Sequence, residues 1–431
     1  MYRNILDDLV AWKEDSNRQV LVLKGAKGVG KTWCVIDFAS AFFDHRVHVD
    51  FSKDEVLREL FMTPHDPQFI DEQLMLLSEV DLTGDHREDT VLIFDEVQIE
   101  EDLFVGVMQY ARARSNLSII IIASWMGMLA AENLLAEEIT IQYMYPMTFE
   151  EYMTANKAQE LCRMIEDEKL NGLAPDIMPI VTEYLRQFYI TGGMPEVVSH
   201  FIKNHDYEEV ELIQKRILQE MRNELLKYSP KFFVTKILQV WDSVPEQLIK
   251  DNRKFMYGYV DPKARAREYV GAVNWLVNAG FVRKIHKVKA GTSPITDQID
   301  RRSFELYYLD HGLLRCALLV PATEACRDEH LLEMFDGLLS EQYVYSELTL
   351  NPNIDRLYFW TSGATARVGF LFEDDQDIVP VDVQPAIRKK AQSMKVFRHK
   401  YGNRISIRIS MEPLTFHKGL LNVPLYGLWN F

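Results

Sequence analysis

The run Gly25-Ala26-Lys27-Gly28-Val29-Gly30-Lys31-Thr32 constrains this chain more than any other stretch. An apolar segment, Val20 to Leu23, precedes it and reads as a buried parallel strand. Trp33 to Phe43 follows with the apolar spacing of a helix. A glycine-rich loop between strand and helix turns successive backbone N–H groups inward, and the helix N-terminus adds its positive dipole end. The pattern predicts a phosphate site. Gly25, Gly28, Val29 and Gly30 would supply backbone contacts, with Trp33 just beyond them. Lys31 would reach the β- and γ-phosphates of ATP, and the Thr32 hydroxyl would hold Mg²⁺.

Val91-Leu92-Ile93-Phe94-Asp95-Glu96 is the second decisive signal. Four apolar residues ending in two carboxylates describe a central strand with acids at its carboxyl edge, where open α/β sheets bind ligands. Asp95 is the expected partner of the Mg²⁺ hydration shell, and Glu96 the expected base for an attacking water. Leu117 to Ser124 reads as another apolar strand. Ser124 at its end is either a γ-phosphate sensor or a turn former. Arg112 and Arg114, ending the intervening helix, either reach a neighbouring subunit's phosphates or answer the helix dipole. The first role would require a homo-oligomer.

A length of 431 residues suggests about two to four domains. The formal charge of −16 argues against a surface coated for general nucleic-acid binding. The cysteines, Cys34, Cys162, Cys316 and Cys326, are scattered and form no Cys-x-x-Cys pair, so reduced thiols are expected. Asp7 and Asp8 interrupt the first residues, and the longest apolar run, around Ile119 to Ala123, is too short to cross a bilayer. The expectation is a cytoplasmic protein without a membrane segment.

The chain reads as α/β: a P-loop core with a parallel sheet over 1–155, then a helical lid over 156–230. Residues 231–325 read as helices leading into a short β-ribbon, the pattern of a winged helix. Around that ribbon Arg265, Arg267, Arg283, Lys284, Lys287 and Lys289 either contact nucleic-acid phosphates or form a solvated face. Residues 326–431 read as a helix and three strands with a basic stretch, Arg388, Lys389, Lys390, Lys395, Arg398 and Lys400.

Several blocks together resemble a prokaryotic family of AAA-type ATPases ending in a domain of unknown function with a restriction-endonuclease-like fold. They are Gly25 to Thr32, Phe94-Asp95-Glu96-Val97-Gln98, Tyr145-Pro146-Met147-Thr148-Phe149-Glu150-Glu151, Gly192-Gly193-Met194-Pro195-Glu196, Lys254-Phe255 with Ala264-Arg265-Ala266-Arg267, and Tyr308-Leu309-Asp310-His311-Gly312-Leu313-Leu314. The resemblance implies that Pro195 touches adenine. Gly28 departs from it, standing where the family often has Gln. The C-terminal segment departs further: Gly369 replaces a metal-binding Asp, and Gln384 replaces a catalytic Lys two residues after Asp382. Glu341 and Asp382 alone under-coordinate a divalent ion, so nuclease activity is not expected. Two readings remain: an ATP-hydrolysing enzyme that drives motion of its C-terminal parts, or an ATP-controlled switch that presents them to a protein or nucleic-acid partner. An intact Glu96 favours the first.

Overall fold

A computed structural model of the chain describes all residues except 83–88, 125–136, 168–171, 364–365 and 386–391. Arg388, Lys389 and Lys390 of the basic stretch therefore lie outside the described residues. The fold divides into two compact units, Met1–Tyr145 with the short turn Asn278–Gly280, and the remainder from Pro146 to Phe431.

The first unit is a parallel sheet of five strands, β1 (Val20–Gly25), β2 (His45–Asp50), β3 (Thr90–Asp95), β4 (Ser118–Ala123) and β5 (Ile139–Met144), in the order β2-β3-β4-β1-β5. The three central strands are near-continuous runs of Val, Leu and Ile because helices cover both their faces. β3 and β4 are buried at every position. The edge strand β5 carries Thr140, Gln142 and Tyr143 and is only partly buried. Phe51, Phe61, Phe94 and Tyr110 form an aromatic cluster beneath the sheet, with Phe61 edge-on to Phe94 at 5.1 Å between centroids. Helix α1 (Ile5–Glu14) leads in, and α2 (Lys31–Phe42) follows β1. Pro64 and Pro67 punctuate the helical stretch after β2. Helix α3 (Glu55–Met62) ends before them, whereas Pro67 opens α4 (Pro67–Ser78) from its first turn, where a missing N–H costs nothing. Helix α5 (Glu101–Ala113) lies between β3 and β4. The order places β4 between the loop strand β1 and the carboxylate strand β3, so three strand ends converge at one sheet edge.

The second unit opens with helices, from Phe149–Ala155 through the 22-residue Tyr207–Tyr228 to Ala266–Asn278. It ends in a mixed sheet of eight strands: β6 (Val282–Val288), β7 (Ile299–Tyr308), β8 (Tyr358–Thr361), β9 (Arg367–Asp374), β10 (Asp377–Gln384), β11 (Ser406–Ser410), β12 (Thr415–His417) and β13 (Leu420–Pro424). The two compact units divide after Tyr145, ahead of the first boundary expected at 155. β6 and β7 pair as an antiparallel ribbon, but β6 also pairs in parallel with β8, so this ribbon is the edge of a sheet that continues through the C-terminal strands. Burial of Val282, Ile285 and Val288 along β6 holds that continuity in place.

Among the described residues no helix is long and apolar enough to cross a membrane. Cys34, Cys162, Cys316 and Cys326 are all free thiols. Burial pushes the Cys162 thiol up to about 11 and raises Cys316, which leaves both protonated and unreactive.

Candidate nucleotide site

The loop after β1 is shaped by Gly28 (φ 81°) and Gly30 (φ 95°), both in the left-handed region that side chains disfavour. Gly30 is the N-cap of α2 and has no side chain to compete for the first helical N–H groups. Lys31 is buried, and its Nζ donates to Gly25 O at 2.9 Å and Ala26 O at 3.0 Å. These carbonyls hold the ammonium at the mouth of the loop. Val29 is fully buried beneath the loop, and Trp33 stands half-exposed on the first turn of α2.

The Thr32 hydroxyl donates to Asp95 Oδ2 at 2.7 Å, across 63 residues of sequence. Asp95 Oδ1 accepts the Glu96 N–H at 2.9 Å, and His48 Nε2 on the adjacent strand lies 3.6 Å from Oδ2. The two oxygens assigned to Mg²⁺ from sequence are thus in contact, Thr32 from the first turn of α2 and Asp95 from the end of β3. Glu96 follows with φ 60° and ψ 34°, a left-handed conformation that costs a non-glycine residue roughly 1 kcal/mol or more. It turns the chain out of β3 into the short turn Val97–Ile99. Ser124 ends β4 between the other two strands, its Oγ buried and without a hydrogen-bond partner among the described residues.

Two residues of this site went unassigned in the sequence. Gln98 donates from Nε2 to Glu96 Oε2 at 2.6 Å and accepts the Ser124 N–H on Oε1 at 3.1 Å. Arg3, only 4% exposed, donates from Nη1 to Val29 O and from Nη2 to Tyr145 O, both at 2.7 Å. It ties the phosphate loop to the last residue of the first unit. Gln98 carried a signal, its place inside the carboxylate block. Arg3, far upstream of the loop, carried none.

Arg112 and Arg114 do not stand free as fingers. Arg112 grips Glu138 with two bonds, Nε to Oε2 at 2.6 Å and Nη2 to Oε1 at 2.8 Å. Arg114 pairs with Asp71, a buried carboxylate that also accepts from Tyr110. Each holds α5 to its own unit.

In the second unit, Pro195 is half-buried in the first turn of the helix Pro195–Asn204. The glycines before it have a packing role. Gly193 N–H donates to Asp310 Oδ2 at 2.7 Å, and Met147 N–H donates to Gly193 O at 2.6 Å. A Cβ on Gly192 would stand 2.2 Å from Asp310 Oδ1. Asp310 also caps the helix His311–Ala317 through Leu313 N–H. Three of the sequence blocks, around Met147, Gly192 and Asp310, therefore meet in one buried cluster.

The basic residues near the ribbon divide. Arg265 and Arg267 are exposed. Lys284 lies over the Phe304 ring at 4.8 Å, donates to Asn274 Oδ1, and has its pKa lowered by burial. It is part of the fold rather than of a solvated face.

In the C-terminal segment, Arg367 donates to Glu305 (Nη2 to Oε2, 2.8 Å) and to Glu341 (Nη1 to Oε2, 3.0 Å), and Arg253 pairs with Glu341 at 2.5 Å. Burial disfavours the Glu341 charge, yet Arg253 and Arg367 hold its carboxyl below the ordinary range. Burial pushes the neighbouring Asp382 carboxyl up to about 6, while Gln384 donates to its Oδ2 at 2.5 Å. Arg253, Glu341, Arg367, Asp382 and Gln384 line a polar cavity of about 280 Å³. A Cβ on Gly369 would stand 3.5 Å from Glu341 Oε2 and 3.6 Å from Arg367 Nη1. Among the described residues no group of three or more His, Cys, Asp or Glu is placed to hold a metal ion.

Residues 17–153 match a family described as an AAA domain, and residues 182–324 match a domain of unknown function (DUF8612). The latter lies ahead of the C-terminal strands rather than on them. No curated protein matches the chain. Among solved structures, the chain is similar to the Walker-type ATPase PABY2304 of Pyrococcus abyssi at 14% identity and a TM-score of 0.44, covering 73% of this chain and 94% of that one. It is similar to C. elegans PCH-2 at 17% identity and a TM-score of 0.30, covering 46% and 59%. The S. cerevisiae Hsp104–ADP complex matches at 12% identity and a TM-score of 0.31, covering 81% and 42%. The AAA-domain match over residues 17–153 spans the phosphate loop, Asp95, Glu96 and Ser124.

Proposed function

We propose that the chain is a Mg²⁺-dependent ATPase whose turnover drives conformational change in its C-terminal parts. The observation that carries this reading is the contact between the Thr32 hydroxyl and the Asp95 carboxylate at the mouth of the phosphate loop. Both are hard oxygen donors, as Mg²⁺ requires, and Asp95 is buried on a rigid strand end. When bound, the ion would neutralise charge on the β- and γ-phosphate oxygens. The loop N–H groups and Lys31 would cradle the same oxygens, with Lys31 leaving the Gly25 and Ala26 carbonyls to do so. Glu96 would take a proton from the attacking water, and Ser124, whose buried Oγ has no partner among the described residues, would donate to the γ-phosphate. Purified protein should hydrolyse ATP with Mg²⁺ and not with EDTA. Lys31→Ala should bind no nucleotide. Hydrolysis surviving Lys31→Ala would defeat the assignment.

We propose further that the C-terminal segment is structural or partner-binding, not a nuclease. The Arg367 guanidinium supports this, because it already neutralises Glu341 and Glu305 where a nuclease would use a metal ion. Plasmid cleavage in Mg²⁺ or Mn²⁺ that disappears in Asp382→Ala would overturn it. Nucleic-acid contact through Arg265 and Arg267, a homo-oligomeric assembly and a cytoplasmic location belong to the same reading.

A further inference from the structure

We infer that Gln98 is a positioning residue for hydrolysis, linking the γ-phosphate-sensing strand end at Ser124 to the base Glu96. The inference rests on the ATPase reading and adds to it a third residue at the water-activating end of the site.

The amide orientation is dictated by its partners. Gln98 Nε2 faces a carboxylate oxygen, Glu96 Oε2, at 2.6 Å, and Oε1 faces a backbone donor, Ser124 N–H, at 3.1 Å. Turning the amide over would set oxygen against carboxylate and nitrogen against N–H, losing both bonds. An amide supplies a donor and an acceptor on one rigid plane. A carboxylate here would accept from Ser124 but repel Glu96, and an aliphatic side chain would do neither. The bond to Glu96 is charge-assisted, the stronger kind.

Position makes the bridge consequential. Ser124 ends β4, which stands between the loop strand β1 and the carboxylate strand β3. Its Oγ is buried and lacks a partner among the described residues. A γ-phosphate that draws Ser124 toward itself moves the N–H that Gln98 accepts. The amide passes that displacement to Glu96, which sits on a strained left-handed residue with φ 60°. The bond from Gln98 Nε2 fixes which way the Glu96 carboxylate faces at the strand end. Among the described residues Gln98 bonds to Glu96 and the Ser124 N–H and not to the phosphate loop or Thr32, so its removal acts on turnover rather than on affinity.

The test compares Gln98→Leu, Gln98→Glu and wild type in steady-state ATP hydrolysis, with ADP affinity from fluorescent-nucleotide titration. Both variants should lose about ten- to a hundredfold in kcat, part of what a general base contributes. KM and ADP affinity should stay within about twofold, a split that general destabilisation of the unit does not produce. Amide exchange at Ser124 should accelerate in Gln98→Leu and stay slow in Gln98→Glu, which separates the two halves of the bridge. In a Glu96→Gln background, Gln98→Leu should change the residual rate by less than about twofold, since a residue acting through Glu96 has nothing left to act on. A wild-type kcat in Gln98→Leu, or fully multiplicative losses in the double variant, would overturn the inference while leaving the ATPase reading intact. Wild-type protein that binds ATP without turnover would defeat the hydrolytic reading, and the positioning role with it.

Discussion

Replacing Arg367 with Ala isolates the ion network in the C-terminal segment. The guanidinium bonds both oxygens of Glu305, whose side chain is 1% exposed, and both oxygens of Glu341, whose side chain is 12% exposed. Glu341 keeps Arg253 at 2.5 Å after the change, so the damage falls mainly on Glu305. Among the described side chains, Glu305 then retains a long contact from the Tyr307 hydroxyl at 3.3 Å. Stranding a buried carboxylate costs about 3–5 kcal/mol, far above the roughly 1 kcal/mol of an exposed pair. In a unit of this size about 1 kcal/mol moves Tm by about 2 °C, so a fall of roughly 6–10 °C is expected in scanning calorimetry. The sign of the pH dependence follows from Glu341, whose folded-state pKa is depressed. Its contribution is present above the ordinary carboxylate pKa and lost as pH falls through the depressed value. The gap between wild type and Arg367→Ala should therefore be widest near neutrality and narrow on acidification, as the Glu341 carboxylate protonates. A Tm within about 2 °C of wild type at pH 7, or a gap that widens toward pH 4, would refute the reasoning.

Arg3→Ala should weaken ADP binding about tenfold in a fluorescence titration. It leaves the Val29 and Tyr145 carbonyls without their buried donor, a loss of about 1–3 kcal/mol that loosens the phosphate loop. Arg3→Lys, which reaches only one of the two carbonyls, should recover part of the affinity. Glu347 gives a second pH signature: burial pushes its carboxyl up to about 8 while its Oε1 accepts the Phe149 N–H at 2.9 Å. With the folded-state pKa raised, stability is fully present below the unfolded value and is lost as pH rises through about 8. Glu347→Gln keeps the acceptor and removes the titration, so its urea midpoint should be flatter across that range and higher than wild type above pH 8.

The first unit was legible because its candidate site and its fold are written in the same residues. An all-apolar strand must be central in a parallel sheet, and a strand that ends Asp95-Glu96 must deliver those acids at the ligand edge. Gly28 and Gly30 announce backbone that other residues resist. The second unit hid more. Lys284 looks like surface charge in the sequence, yet its stem packs on Phe304 and its ammonium is half-buried, a choice made by tertiary packing. The ribbon β6–β7 reads as a local hairpin, while its parallel pairing with β8 joins positions some seventy residues apart that no local pattern encodes. Strands β11 to β13 follow a basic, weakly patterned stretch and are short, so periodicity gave no purchase on them. The blocks around Gly192 and Asp310 stood out without disclosing why. Only their meeting explains both, since the carboxylate that caps one helix needs a glycine backbone beside it.

The central claim is that Thr32, Asp95, Lys31 and Glu96 form one hydrolytic nucleotide site. It is tested most directly by measuring ATP binding and phosphate release side by side in Glu96→Gln. The carboxamide keeps the shape of Glu96 and removes its basicity, which should slow release by about two to four orders of magnitude. ATP affinity should remain within about threefold of wild type, because the loop, Lys31, Thr32 and Asp95 are untouched. Release at the wild-type rate, or loss of ATP binding together with turnover, would contradict the account.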